Sequence, residues 1–186
     1  RHKAIEFVVD NLLKCLDGNW GIIIFVGNHN EKYVEQIKVR LNTSRIKIIN
    51  FLFDNYGYNL PREENDITYS KIMCSQDIYN YIPTETFLVF QSDSMINYKN
   101  KHYINEYLNY DYVGAPWKKN NIFGFSQFGF LHPLAGQVGN GGFSLRKKSK
   151  MLDILKSVSY DDNMNEDQYF SLTFKKDFNE INLKKP

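Results

Sequence analysis

Trp20-Gly21-Ile22-Ile23-Ile24-Phe25-Val26-Gly27 is a short, β-branched apolar run with glycines at its edges. Its length and make-up predict a strand buried on both faces, as in parallel sheets. Upstream, Ala4 to Leu16 places Ile5, Val9, Leu12, Leu13 and Leu16 on one stripe at helical spacing, and Asp17-Gly18-Asn19 ends that helix. Downstream, Gly27-Asn28-His29-Asn30 turns into a second helix, Glu31 to Leu41. A second strand follows at Arg45 to Leu52, where Ile46, Ile48, Ile49 and Phe51 are apolar. Asn55 to Pro61 reads as a loop, and Glu63 to Tyr81 as a helix interrupted near Cys74-Ser75-Gln76. Pro83 stops it, and Thr86 to Phe90 forms a third buried strand. This order of strands and helices predicts the α/β class, as a single-domain α/β/α sandwich with a mainly parallel central sheet.

Composition narrows the function classes. A chain of 186 residues, 42% hydrophobic and 24% charged, fits one packed domain, here spanning residues 1–186. The net charge of +2 is too near neutral for a protein that lives on phosphate backbones, which argues against nucleic acid as partner. No apolar run approaches the roughly 18–20 residues of a membrane span. Two cysteines, Cys15 and Cys74, make neither a disulfide framework nor a four-ligand zinc site. The 21 Asn and 18 Lys against 5 Arg are what an AT-rich genome produces, so most surface Asn and Lys carry no functional message. The chain opens at Arg1 without Met, as a processed product or an excised domain would, and with no signal peptide read in it the expectation is a cytoplasmic protein.

Beyond Tyr112 the pattern changes. Gly and aromatic residues dominate from Gly114 to Gly142, and only Lys148 to Ser157 and Glu166 to Phe174 read as helices, the last capped by Asn163 or Asn165. Irregular, Gly-rich chain of this length inside a compact domain is usually functional. Gln91-Ser92-Asp93-Ser94 directly follows an apolar strand, where ligands of open parallel sheets bind, and a carboxylate there can share a hard cation with substrate phosphates. The plainer reading is a turn. Gly139-Asn140-Gly141-Gly142 permits close backbone approach to a ligand, or a tight hairpin. It lacks the Lys-Ser/Thr pair of a Walker loop and the spacing of a dinucleotide fingerprint.

Glu166-Asp167 suits the first turn of a helix for dipole reasons alone, yet a general base would occupy the same place. Trp117 stacks on a sugar or covers the core, and His132 is a lone loop histidine. Lys147, Lys148 and Lys150 beside Arg146 face a diphosphate or solvent, and Cys15 reads as inert. The sequence gives no ground for a Ser/His/Asp or Cys/His constellation.

The order of these stretches is more specific than any one of them. Gln91-Ser92-Asp93-Ser94, then Tyr110-Asp111-Tyr112-Val113-Gly114-Ala115-Pro116-Trp117, then Val138 to Arg146, then Asn165-Glu166-Asp167-Gln168-Tyr169-Phe170 resembles a glycosyltransferase-like family catalogued as a domain of unknown function, itself similar to type A glycosyltransferases. The Gly-Gly-Phe-Ser stretch followed by Glu-Asp is similar to the arrangement in β-1,4-galactosyltransferases.

The resemblance implies a donor-side part at about residues 1–95 and an acceptor-side part at about 110–175. It implies that Gln91-Ser92-Asp93 stands for the Asp-x-Asp signature, with Asp93 holding Mn2+ or Mg2+ against the donor diphosphate. Gln91 stands where the first Asp usually contacts the ribose, and Gln91 and Ser94 fall on the donor side. Asn140, Gly141 and Gly142 line the donor sugar pocket, Trp117 stacks on the acceptor, and Glu166 or Asp167 is the catalytic base. Type A enzymes open on a strand, whereas this chain is helical from Ala4, so the first strand is expected to be lacking or to lie upstream.

The expected activity is metal-dependent, inverting transfer of a sugar from a nucleotide-sugar donor to a glycan or other hydroxyl acceptor. The alternative is a non-catalytic carbohydrate-binding or assembly module on a degenerate transferase fold. A metal-dependent phosphoesterase would need more metal carboxylates than Asp93.

Overall fold

The computed structural model describes residues 4–51, 69–116 and 138–176. The chain divides into two compact units, one made of Arg1–Asn59 with Gln91–Asn105, the other of Leu60–Phe90 with Glu106–Pro186.

In the first unit, α1 (Ile5–Cys15) leads to β1 (Ile22–Val26), α2 (Glu31–Leu41) and β2 (Ile46–Asn50). β1 and β2 pair in parallel, from Ile22 opposite Ile46 to Val26 opposite Asn50. A parallel pair needs a crossover, and α2 supplies it. Ile22, Ile24 and Val26 are buried while Ile23 and Phe25 are half-buried, so the run is covered on both faces but unequally. α1 buries Val8, Val9, Leu12 and Cys15, a stripe rotated slightly from the expected one, with Leu16 buried just beyond it. α2 ends at Asn42, whose φ of 45° is the left-handed conformation that Asn tolerates at helix ends.

Two side chains tie this unit together. Arg45 donates from Nε to the Trp20 carbonyl and from Nη1 and Nη2 to the carbonyls of Leu13, Leu16 and Asp17. These include carbonyls that the end of α1 leaves without helical partners. Asn11 exchanges two hydrogen bonds with the Ile96 backbone, at 3.0 and 2.8 Å, and so fastens the 91–105 segment to α1. Cys15 is buried, and its thiol points at the same Ile96 carbonyl at 3.7 Å, as an inert core thiol does.

In the second unit, residues 69–73 are helical and Ile78–Tyr81 forms a turn of 3₁₀-helix. β3 (Thr86–Phe90), β4 (Tyr112–Pro116) and β5 (Val138–Lys147) make an antiparallel sheet in the order β3-β5-β4. A 3₁₀ segment, Tyr98–Tyr107, most of it in the first unit, lies in the chain between β3 and β4. α3 (Lys148–Ser157) and α4 (Glu166–Lys176) follow, both packed on β5. Tyr79, Tyr112, Met151, Ile154, Tyr169 and Phe170 fill the core.

The α/β class and the parallel β1–β2 pair are as expected from the sequence. β3 differs: it pairs antiparallel with β5, from Thr86 opposite Lys147 to Phe90 opposite Phe143. β5 is ten residues long, enough to serve both neighbours. Its glycines hid it, because residues without side chains cannot show the alternation that marks a strand. The expected loop at Asn55 to Pro61, and Trp117 and His132, lie outside the described residues.

Candidate active site at a glycine bulge

The β4–β5 ladder begins regularly, with Tyr112 opposite Arg146, Val113 opposite Leu145 and Gly114 opposite Ser144. The next pair is Ala115 with Asn140. Gly141, Gly142 and Phe143 therefore have no counterpart on β4, and the strand bulges there. The Gly-rich stretch is thus a bulge inside a strand rather than a hairpin turn. Gly114 permits it, since a Cβ at that position would lie 2.4 Å from the Asn140 carbonyl oxygen.

The first turn of α4 faces this bulge. A Cβ on Gly141 would sit 2.1 Å from Glu166 Oε1 and 2.9 Å from the Asp167 Cβ. The glycine is required here for space. The Gly141 N–H reaches Asp167 Oδ2 at 3.4 Å, and the Gly142 N–H donates to Asn140 Oδ1 at 3.2 Å. Asn140, Gly141, Gly142, Glu166 and Asp167 are thereby brought together, although the chain separates the two groups by more than twenty residues.

The two acids differ in environment. Glu166 is buried and forms a two-pronged ion pair with buried Arg146: Nη2 donates to Oε1 at 3.1 Å, and Nη1 lies 2.9 Å from Oε2 at an angle short of a hydrogen bond. Its backbone N–H donates to Ser70 Oγ, which satisfies one of the free donors at the start of α4. Both Glu166 oxygens face a cation held in place. Asp167 is only half-buried, and burial, followed by the charge of Glu166, pushes its carboxyl up to about 6. The N–H groups of Gly141 and Gln168 pull the other way. A half-exposed carboxyl titrating near neutrality is suited to general base work, which a carboxylate locked in an ion pair is not.

Arg146 is the largest fully buried side chain among the described residues. Its Nε donates to Ser144 Oγ at 2.8 Å and Nη2 reaches the Gly141 carbonyl at 3.4 Å. Tyr112 and Phe170 present their rings to the guanidinium at 5.0 and 5.5 Å. Burial is the largest single influence and would lower the Arg146 pKa, but the charge and hydrogen bond of Glu166 together with Tyr112 and Tyr79 outweigh it and hold the group well above its ordinary value. In the sequence Arg146 stands merely at the end of a motif. The available signal was a long cation inside Phe143-Ser144-Leu145-Arg146, a pattern that otherwise reads as strand.

The expected basic cluster is drawn off elsewhere. Lys147 Nζ donates to Thr86 Oγ1 at 2.6 Å and Lys148 Nζ to the Ile82 carbonyl at 2.7 Å. Thr86 starts β3 whereas the bulge lies beyond Phe90, its end, so Lys147 stands roughly 13 Å along the strand from Phe143.

Gln91, Ser92, Asp93 and Ser94 belong to the other unit and follow β3 directly in the chain. The Ser94 N–H donates to the Gln91 carbonyl at 3.1 Å, making a tight turn with Asp93 exposed on it. Among the described residues, no three His, Cys, Asp or Glu side chains gather as a metal site. The single exposed carboxylate of Asp93 fits a hard cation that takes most of its oxygens from phosphates and water, and does not fit an all-protein cage. Among the described residues, no helix is long and apolar enough to cross a membrane.

No curated protein and no solved structure matches the chain. Residues 60–186 match the family described as "Protein of unknown function (DUF5672)", a span that takes in Asp93, the glycine bulge and the Glu166-Asp167 pair. By that match over more than half its length, the chain belongs to the DUF5672 family.

Proposed function

We propose that the protein is a type A-like glycosyltransferase that moves a sugar from a nucleotide-sugar donor to a hydroxyl of a glycan or similar acceptor. The observation that carries this reading is the half-buried Asp167 carboxyl, raised to about 6, beside the Asn140-Gly141-Gly142 bulge. Asp167 is the base: it takes the proton of the acceptor hydroxyl as that oxygen attacks the anomeric carbon. The anomeric carbon–oxygen bond breaks on the opposite face and its electron pair leaves with the diphosphate, so configuration inverts. Glu166 serves as the counter-ion of Arg146. Asn140, Gly141 and Gly142 line the sugar pocket, Gln91 and Ser94 contact the donor, and Trp117 stacks on the acceptor. Asp93 would hold Mn2+ or Mg2+ together with the donor, and the cation would supply positive charge for the leaving diphosphate. The finer architecture of this reading is the α/β/α sandwich of type A enzymes.

A nucleoside diphosphate sugar with Mn2+ is expected to raise the melting temperature, because a ligand that binds only the folded state stabilises it. Asp93→Ala removes the metal-dependent part of that rise. Absence of any rise across the common nucleotide sugars overturns the reading. Gln91, in place of a second carboxylate, favours one alternative, a non-catalytic carbohydrate-binding module. Sugar binding that ignores metal, with no turnover of any donor, would select it.

A further inference from the structure

Gly141 is held from both sides of its backbone. Its carbonyl accepts from Ser144 Oγ at 2.9 Å and from Arg146 Nη2 at 3.4 Å, while its N–H faces Asp167 Oδ2 at 3.4 Å. Ser144 Oγ is in turn the acceptor for Arg146 Nε at 2.8 Å. The same Nη2, with Nη1 beside it, faces both oxygens of Glu166, the neighbour of Asp167 in the first turn of α4. One rigid planar group therefore grips the bulge and the turn that face each other.

We infer that Arg146 is a positioning residue for Asp167: by holding Glu166, Ser144 and the Gly141 carbonyl in one fork, it fixes the Gly141 N–H against the Asp167 carboxylate. A purely structural ion pair would need only Glu166. The contacts from Nε and Nη2 to the bulge are what a positioning role adds. A lysine keeps the charge but not the fork, because an ammonium cannot hold three partners in one plane. The Tyr112 and Phe170 rings on the guanidinium limit its choice of pose. Among the described residues, the charged or titratable groups around Asp167 are Glu166, which opposes its ionisation, Arg146, which favours it, and Cys74 and Tyr112, which burial keeps protonated. The importance of this arrangement for turnover rests on the transferase reading, whereas the arrangement itself does not.

The test therefore uses the full chain with no donor present. Asn140-Gly141 is the only Asn-Gly step in the sequence, so carbonyl-labelled Asn with amide-labelled Gly isolates the Gly141 amide signal in an NMR spectrum. In the native chain this signal is expected to shift with pH as Asp167 titrates, and Asp167→Asn is expected to abolish the shift. Arg146→Lys and Ser144→Ala are each expected to reduce its amplitude by half or more in a chain that remains folded by circular dichroism. Should Arg146→Lys fail to fold, Ser144→Ala decides alone, since it removes the hydroxyl bridge and leaves the ion pair. Full amplitude in a folded variant, or a shift that survives Asp167→Asn, overturns the inference. Neither result touches donor binding, and failure of donor binding leaves this measurement intact.

Discussion

Arg146 and Glu166 meet as a buried, two-pronged ion pair, with Nη1 2.9 Å from Oε2 and Nη2 3.1 Å from Oε1. Such a pair recovers the cost of removing both charges from water only while both partners are present. Glu166→Ala leaves a fully buried guanidinium without its counter-charge. The expected loss is about 3–5 kcal/mol of unfolding free energy, measured by urea denaturation. Replacing both residues with apolar ones, as in Arg146→Met with Glu166→Leu, is expected to recover much of it. A Glu166→Ala loss within about 0.5 kcal/mol, the range of an ordinary surface change, would show that the pair is open in solution.

Asp167 makes stability depend on pH in a definite direction. Its folded pKa of about 6 lies above its ordinary 3.8, so between those values the folded chain binds more protons than the unfolded one. Unfolding free energy from this group is therefore highest at low pH, falls as pH rises from about 4 to 6, and is level above that. Asp167→Asn removes the titration. The variant is expected to lack that component of the fall and to gain about 1–2 kcal/mol over the parent at pH 7, discounted for partial exposure. Denaturation curves at half-unit pH steps would reveal it. A parent and variant separated by a constant amount across pH 4 to 7 would refute the raised pKa.

The Gly141→Ala variant adds a methyl group where Glu166 Oε1 is 2.1 Å away and Arg146 Nη2 2.9 Å away. Those atoms belong to side chains that the ion pair holds still, so the neighbour cannot yield cheaply. Destabilisation of about 1–3 kcal/mol is expected, as for other overpacked sites. Gly18→Ala is the control, since nothing lies within 4 Å of its added methyl. Equal melting temperatures for the two variants would mean that the bulge relaxes freely.

How far these features could be read from the sequence follows from the range of the forces involved. Glu31 to Leu41, Thr86 to Phe90 and Lys148 to Ser157 match their expected boundaries, because side-chain periodicity and flanking turn residues are local signals. β5 escaped because Gly139, Gly141 and Gly142 carry no side chain to show a period, and because its partners Phe90 and Tyr112 lie far away in the chain. Glu166 and Asp167 were legible as a pair near the start of a helix, but not as two different acids. What separates them is Arg146, twenty residues upstream and brought close only by the packing of α4 on β5. For the lysines beside Arg146 the sequence leaves a diphosphate or solvent open, and strand register carries Lys147 to the opposite end of β3.

If Asp167 is the base, its loss should affect chemistry and spare donor binding. Asp167→Asn keeps the shape and leaves an amide oxygen for the Gly141 N–H, but cannot accept the acceptor's proton. Positioned bases contribute on the order of 10²–10⁴ in rate, so turnover should fall by that factor. The rise in melting temperature with nucleotide sugar and Mn2+ should persist. Before substitution, turnover should climb between pH 5 and 7 as the carboxyl, at about 6, gives up its proton. Glu166→Gln should behave differently, since a neutral side chain beside Asp167 removes a charge that opposes ionisation. Its pH profile, measured on whatever fraction remains folded, is expected to move to lower pH with turnover largely kept. If Glu166→Gln instead loses turnover while Asp167→Asn keeps it, the base has been assigned to the wrong member of the pair.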